Sequence, residues 1–258
     1  MADPQLASFV FIGSGVLGFG PAIAVLYHAL RTYDYPYTSR SFFETRRVVL
    51  ALAVGMVLGT ISGAITVGVR GSIVTLLSLV IVLLVLALFE EAFKLIYLNR
   101  KGYRARFDTT FAGVGLGVGI AAITAAGSAH TNGPALFSPE VFLPLFGWSV
   151  SLAFIHAATG AIIGFGCAKG DLVRTFAQAY VGRVLHAAML VPFFVWSALP
   201  AGTSVVLPMF SLAAATAFTI ALYRYVYGSV LPGSLPPEMR SERRRRARAG
   251  RAGQTVRK

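Results

Sequence analysis

Long apolar runs separated by short polar segments dominate this chain. A helix needs about 20 residues to cross about 30 Å of hydrocarbon, and apolar runs of that length recur along most of the sequence. The pattern predicts an all-α membrane bundle of seven transmembrane helices, at residues 6–30, 48–69, 72–98, 109–128, 141–167, 176–198 and 203–227. Residues 1–230 are expected to form this seven-helix domain, and residues 231–258 a disordered basic tail in the cytoplasm.

Composition agrees with a membrane protein and excludes a water-soluble one. The chain is 56% hydrophobic and 13% charged, with a mean hydropathy of +0.70, whereas soluble domains carry roughly 25% charged residues. The polar segments between the apolar runs are too short to hold a soluble domain. Any function must therefore reside in the helical bundle of an integral, multi-pass protein, which we expect in the cell membrane if its source is prokaryotic.

Basic residues predict how the bundle is oriented, because Lys and Arg accumulate in cytoplasmic loops. The loops after the first, third and fifth predicted spans are basic, whereas the alternate loops contain Arg70 as their one basic residue. This asymmetry predicts an N-terminus outside and a C-terminus in the cytoplasm. The basic residues of the three loops are Arg31, Arg40, Arg46, Arg47, Arg100, Lys101, Arg104, Arg106, Lys169 and Arg174.

The formal charge of +13 lies mostly at the C-terminal end. Residues 240–258 hold nine basic residues and one acidic residue, a net charge of +8, and follow a proline-rich segment over 231–237 that favours the end of the last helix. Such a tail is typical of contact with anionic lipids at a membrane surface. Nucleic acid is not an expected partner, because no folded soluble platform accompanies the charge.

Glycines recur at four-residue spacing inside two of the predicted spans. The second span contains Gly55, Gly59 and Gly63, and the fourth contains Gly115 and Gly119. This spacing stacks the glycines on one helix face, where another backbone can approach closely. We expect both faces to pack against helices, either inside the bundle or at a subunit interface.

Ionisable side chains within the predicted spans are few, and they are costly in hydrocarbon. Glu90, Glu91 and Lys94 lie in the third span, His156 in the fifth and His186 in the sixth. Counting at 1.5 Å per residue from the cytoplasmic ends places Glu91 and both histidines at one depth, about 13–16 Å into the membrane. We therefore expect one polar cavity, which is either a structural network or a site for metal binding or acid–base chemistry.

Four features follow one another along the chain: the run over 11–22, the run over 89–94, the glycine-rich fourth span and the single histidines of the fifth and sixth spans. Taken in order, they resemble the anterior-pharynx-defective (Aph) subunit family of γ-secretase. The resemblance extends from about residue 9 to residue 230. It implies seven spans with the N-terminus outside, and a non-proteolytic scaffold for a presenilin-type intramembrane aspartyl protease.

The resemblance also assigns positions in this chain. Its assembly motif falls on Gly115 and Gly119, although the third glycine expected in that span is Ile123 here. Its polar pair and its intramembrane histidines fall on Glu90, Glu91, His156 and His186. With this function no bound metal or cofactor is expected.

The same residues also resemble the PrsW and CAAX-processing type of intramembrane metalloprotease. In this alternative the catalytic residues would be Glu90, Glu91, His156 and His186. Two companions are missing, because Thr124 replaces the glutamate expected late in the glycine-rich span and Leu190 replaces the Asn or Asp expected after the last histidine. The sequence therefore favours a non-catalytic scaffold over the protease, and over a transporter or channel.

Overall fold

A computed structural model describes residues 4–69, 75–196 and 204–242, together with Arg245. These residues are helical or lie in short connections, and the part of the chain that is described contains no β-strand. The helices are α1 (Pro4–Leu30), α2 (Thr45–Val69), α3 (Leu76–Leu98), α4 (Thr109–His130), α5 (Pro139–Lys169), α6 (Leu172–Met189), α7 (Val191–Trp196), α8 (Val206–Tyr225) and α9 (Leu231–Ser234).

Six helical segments of the described chain are long and apolar enough to cross a membrane. These segments begin with α1, α2, α3, α4, α5 and α8. The segment that begins with α8 continues through a π-helical turn at Val226–Val230 to the end of α9. The sixth predicted span, at 176–198, is not among them. It is divided instead into α6 and the six-residue α7, with Leu190 between them and Pro192 just beyond. Arg174, Gln178 and Arg183 lower the hydropathy of α6.

The centre of the bundle is formed by α4 and α5. The apolar windows of these two helices are 78% and 83% buried, whereas those of the other four spans are at most one third buried. Helix α4 packs against α1, α2 and α5, so it is surrounded on most of its circumference. Its residues 109–122 are buried without interruption. The remaining helices surround this pair and expose apolar side chains at the periphery, as expected of a bundle in lipid.

Glycines bring the backbones of α4 and its neighbours together. Successive residues of a helix are 100° apart, so residues two apart lie on nearly opposite faces. Accordingly, Gly113 and Gly117 contact α5 at the backbones of Gly160 and His156, where an added Cβ would collide with a carbonyl oxygen. The other glycine pair of α4 faces α2.

The contact between α4 and α2 uses both glycine motifs singled out in the sequence. Gly115 and Gly119 lie against the carbonyls of Val48 and Leu52, and Gly55 and Gly59 of α2 lie against the carbonyls of Leu116 and Ile120. An added Cβ at Gly63 would meet no heavy atom within 4 Å. The first four glycines therefore serve helix packing inside the bundle, whereas no neighbouring helix in the described part of the chain packs closely against Gly63.

Contacts with the bundle extend beyond the sequence-based boundary at residue 231. Leu231 and Leu235 are fully buried against the core, and Arg240 donates hydrogen bonds to the carbonyls of Leu235 and Gly233 at 2.7 and 3.0 Å. Glu242 accepts a hydrogen bond from the backbone of Ser39. Part of the segment that had been expected in the disordered tail therefore contacts the bundle, through buried leucines at 231 and 235 and polar contacts at 240 and 242. The rest of that basic tail, over 243–258, lies outside the described residues except for Arg245.

Candidate functional site

The cytoplasmic half of α3, as oriented from the sequence, carries the charged residues of the candidate site. Glu90, Glu91 and Lys94 share one side of the helix because their spacing is close to one helical turn. They are 4%, 0% and 0% exposed and face the bundle, whereas the adjacent Leu88 and Phe89 are exposed at its periphery. This amphipathic arrangement places two carboxylates and an ammonium group inside the protein.

Lys94 connects α3 to α5. Its ammonium group donates to Glu91 Oε1 at 2.6 Å, to Thr159 Oγ1 at 2.8 Å and lies 3.2 Å from His156 Nδ1. The Thr159 hydroxyl in turn donates to Glu91 Oε1 at 3.1 Å. Because a charged lysine offers only donors, His156 Nδ1 must accept, and the imidazole proton then resides on Nε2.

Arg183 connects α6 to α3. Its Nη2 donates to Glu90 Oε2 at 2.6 Å, and its Nε lies 3.6 Å from Glu91 Oε1. Its Nη1 lies 3.2 Å from His186 Nδ1, which must therefore accept. The proton of His186 then resides on Nε2, 2.8 Å from the hydroxyl of Ser151 on α5.

The second oxygen of Glu90 connects the site to α2, because the Ser62 hydroxyl donates to Glu90 Oε1 at 2.5 Å. The side chains that meet here, which we call the buried polar cluster, are Ser62, Glu90, Glu91, Lys94, Ser151, His156, Thr159, Arg183 and His186. None of them is more than 9% exposed. The cluster thus joins four helices inside the bundle.

The buried polar cluster is balanced in charge. Glu90 and Glu91 contribute two negative charges, and Lys94 and Arg183 contribute two positive charges, so with neutral histidines the sum is zero. Buried charges are tolerated when each has a partner and further hydrogen bonds. The pairs Lys94–Glu91 and Arg183–Glu90, each at 2.6 Å, meet that requirement.

The five ionisable residues identified from the sequence are all members of this cluster. Of the glycines of α4, Gly117 lies against His156, whereas Gly115 and Gly119 face α2. A helix turns by 100° per residue, and a depth estimate contains no information about that rotation. The sequence indicated the level of the site but not the face of α4 that adjoins it.

Arg183 was not identified as a site residue, although it pairs with Glu90. A signal for it was present: an arginine three residues before His186 shares a helix face with that histidine and lies well inside α6. The hydroxyl groups of Ser62, Ser151 and Thr159 were also missed. Hydroxyl residues are common in membrane helices, where they bond to the preceding turn, so nothing in the sequence distinguishes these three.

The arrangement of donors does not fit a metal ion. Both nitrogens of His186 are engaged by Ser151 and Arg183, and His156 Nδ1 is engaged by Lys94. Within the described ranges, no group of three or more His, Cys, Asp or Glu side chains is placed to hold a metal. Instead of a metal, the cations of Lys94 and Arg183 stand between the carboxylates and imidazoles.

Two further positions matter for the protease alternative. Leu190 is buried at the end of α6 and offers no polar side-chain group that would orient His186. Thr124 belongs to α4, and its hydroxyl has no hydrogen-bond partner among the described residues. Neither residue takes part in the buried polar cluster.

Fold and site together define a multi-pass helical membrane protein that contains a buried, charge-balanced polar cluster. Comparisons with protein-family models, with curated proteins and with solved structures found no match to this chain.

Proposed function

We propose that this protein is a non-catalytic membrane scaffold that assembles with and stabilises a presenilin-like intramembrane aspartyl protease. The observation that carries the non-catalytic part is the charge balance of the buried polar cluster, in which Lys94 and Arg183 neutralise Glu91 and Glu90. The identity of the partner rests on the resemblance to the Aph family.

The contacts of α3 support a structural role for the cluster. Only 17% of the apolar window of α3 is buried, so apolar packing against neighbours fixes this helix weakly. Polar contacts between helices compensate in lipid, where the hydrophobic effect does not drive one helix towards another. The contacts made by Glu90, Glu91 and Lys94 thus position α3 against α5 and α6.

Burial of the carboxylates argues against direct catalysis. A general base must come within hydrogen-bonding reach of the substrate proton that it removes. Glu91 Oε1 instead accepts from Lys94 and Thr159, and both oxygens of Glu90 accept from Arg183 and Ser62. Three of the four carboxylate oxygens are thus occupied by donors of the protein, and a substrate could replace those donors only after their hydrogen bonds had broken.

One observation favours the alternative of a glutamate- and histidine-dependent protease. Glu91 Oε2 and His156 Nε2 have no hydrogen-bond partner among the described residues, although both are buried. Water bound at these two atoms would provide the beginning of a hydrolytic site. Two considerations nevertheless lead us to favour the scaffold. Thr124 and Leu190 stand where the protease would have polar catalytic residues, and the cations of Lys94 and Arg183 pair with the carboxylates.

The scaffold function is proposed with seven spans, in which α6 and α7 together form the additional crossing. The 18 residues of α6 rise about 27 Å, close to the thickness of the hydrocarbon layer. Its Arg183 and His186 point into the bundle, whereas Arg174 and Gln178 are exposed, so inward-facing polar groups account for part of the low hydropathy of α6. Seven crossings would place the two termini on opposite sides of the membrane, and the basic loops favour an N-terminus outside and a C-terminus in the cytoplasm.

Cysteine labelling tests this topology. Cys167 is the one cysteine of the sequence and is buried, so Cys167→Ala provides a suitable background. An impermeant maleimide applied to intact cells should label Asn132→Cys, in the loop before α5, and leave Gly250→Cys, in the C-terminal tail beyond α8, unlabelled. The opposite labelling would show that the orientation is inverted, and equal labelling of both would exclude the proposed number of crossings.

Isolation of the native complex tests the scaffold function itself. An affinity tag on this chain should recover, from native membranes, a polytopic protein with two intramembrane aspartates whose proteolysis is blocked by transition-state analogues of aspartyl proteases. Recovery of the chain alone, together with cleavage of membrane substrates that such inhibitors leave unaffected, would contradict the proposal and support the metalloprotease alternative.

A further inference from the structure

A groove opens between the start of α2 and the end of α3, at the basic end of the bundle. Its volume is about 450 Å³, and its walls include Arg46, Leu50 and Val54 of α2 and Tyr97 and Arg100 of α3 and its C-terminal end. Helices α2 and α3 have few contacts with each other, and the exposed Leu50 in the α2 wall shows that the groove is open to the periphery of the bundle.

The α2 wall changes from charged to apolar with depth. Arg46, Leu50 and Val54 are four residues apart and therefore lie along one helix face, with steps of about 6 Å towards the membrane interior. Leu50 is 49% exposed. The groove thus has a cationic mouth and a hydrocarbon wall beneath it.

Two of the arginines at the mouth are available to an anion. Within the described parts of the chain, Arg46 and Arg100 form no ion pair. Arg47, by contrast, is engaged by the Glu44 carboxylate and the Gly102 carbonyl. Glu44 is compensated by Arg47 and also lies 3.7 Å from Arg106, so it does not cancel the remaining charge of the mouth.

Arg100 is held in place on the α3 side. Its guanidinium lies over the Tyr97 ring, 4.6 Å from the ring centroid. Tyr97 is itself fixed by a hydrogen bond between its hydroxyl and that of Tyr103, at 2.9 Å. Both rings are buried, so the guanidinium rests on a rigid aromatic surface.

We propose that this groove binds one anionic phospholipid. The phosphate lies between Arg46 and Arg100, where guanidinium groups offer paired donors to phosphate oxygens, and an acyl chain follows Leu50 and Val54. Arg46 also belongs to the first turn of α2, where the partial positive charge of the helix terminus favours an anion. A free phosphate ion would leave the apolar wall unused. The groove would bind its lipid whether or not the chain assembles with a protease.

Lipid titration of the purified, delipidated full-length protein tests the proposal. Native mass spectrometry would count bound phosphatidylglycerol, with phosphatidylcholine as the zwitterionic comparison. The double variant Arg46→Gln/Arg100→Gln should bind phosphatidylglycerol about 30-fold more weakly, because each arginine near a lipid surface contributes roughly fivefold. Equal affinity for the two lipids in the unaltered protein would overturn the proposal.

The double variant Lys169→Gln/Arg174→Gln is the matched control. It removes the same charge from exposed positions on the same side of the bundle and outside the groove. Its affinity for phosphatidylglycerol should be close to that of the unaltered chain, because distant surface charges are screened by salt. An equal loss of affinity in both double variants would mean that the lipid responds to overall charge, and the proposed groove would be wrong.

Two further measurements separate a lipid site from a plain anion site. Leu50→Trp fills the apolar part of the groove without changing its charge and should weaken binding severalfold while the protein remains folded, because Leu50 is half exposed. This variant decides the outcome if the arginine variants do not fold. Unchanged binding by Leu50→Trp, or full displacement of phosphatidylglycerol by millimolar inorganic phosphate, would overturn the proposal.

Discussion

Helices α4 and α3 are held in the same bundle by opposite means. Helix α4 is 78% buried and meets its neighbours through backbone contacts at glycines, whereas α3 is 17% buried and contains no glycine. What α3 has instead is an ion pair to α6 through Arg183, together with hydrogen bonds to Thr159 and His156 of α5. The difference shows two ways to fix a helix where surrounding lipid is as apolar as the side chains themselves.

The two mechanisms fail in different ways. Close backbone contact is lost by adding atoms, because a carbonyl oxygen of the neighbouring helix cannot move far. A buried ion pair is lost by removing one charge, because the remaining charge has no water to solvate it. Substitutions that add volume at α4, or remove charge at α3, therefore distinguish the two.

The largest effect is expected from Lys94→Met, which keeps the length of the side chain but leaves Glu91 with only the more distant cation of Arg183, 3.6 Å away. Breaking a buried pair in this way should reduce the free energy of unfolding by about 3–5 kcal/mol. Reversible SDS titration of the purified protein would measure the change. A loss below about 1 kcal/mol, typical of exposed pairs, would show that Lys94 does not hold α3 against α5.

The double variant Glu91→Gln/Lys94→Met is the matched control for this charge effect. It removes one negative and one positive charge, so the cluster keeps a net charge of zero through Glu90 and Arg183. The glutamine side chain introduced by Glu91→Gln would still accept a hydrogen bond from Thr159. Most of the stability lost in Lys94→Met should therefore return. A double variant as unstable as the single one would mean that Lys94 acts through packing.

An intermediate effect is expected from Gly119→Ala in α4, because a Cβ there collides with the Leu52 carbonyl of α2. Overpacking of this kind should cost about 1–3 kcal/mol. Gly127→Ala on the same helix is the control, since a Cβ at Gly127 meets nothing within 4 Å. That control should be neutral or slightly stabilising, as alanine favours helices over glycine. Equal stability of the two variants in thermal unfolding would contradict the close-contact account.

The smallest effect is expected from Ser151→Ala, which removes the hydroxyl next to His186 Nε2. Hydrogen bonds between membrane helices contribute about 0.6 kcal/mol on average and up to about 1.7 kcal/mol. Ser8→Ala provides the comparison, because Ser8 is exposed and bonds within its own helix. A loss of more than about 3 kcal/mol for Ser151→Ala would make that hydroxyl as important to stability as the Lys94–Glu91 ion pair, contrary to this expectation.

The sequence reveals the helices more readily than their rotation. Six spans can be predicted from apolar length, which is a local property. Whether α6 also crosses the membrane cannot be predicted in this way, because the answer depends on what Arg183 and His186 face. Glycine spacing identified a packing face on α4, but only the packed bundle shows that Gly117 adjoins the buried polar cluster. The contacts of residues 231–242 with the bundle were missed because their anchoring by Leu231 and Leu235 depends on distant parts of the core.

The central claim is that the buried polar cluster is a structural joint, and one measurement tests it most directly. Complexes isolated through a tag on the unaltered chain and on the Glu91→Gln/Lys94→Met variant would be compared for yield and for cleavage of membrane substrates. Because the variant removes a carboxylate but keeps the cluster neutral, we expect both yield and proteolysis to remain near the level of the unaltered chain. Normal yield with abolished proteolysis would contradict the account, because it would show that the ionisable groups of Glu91 and Lys94 serve proteolysis rather than assembly.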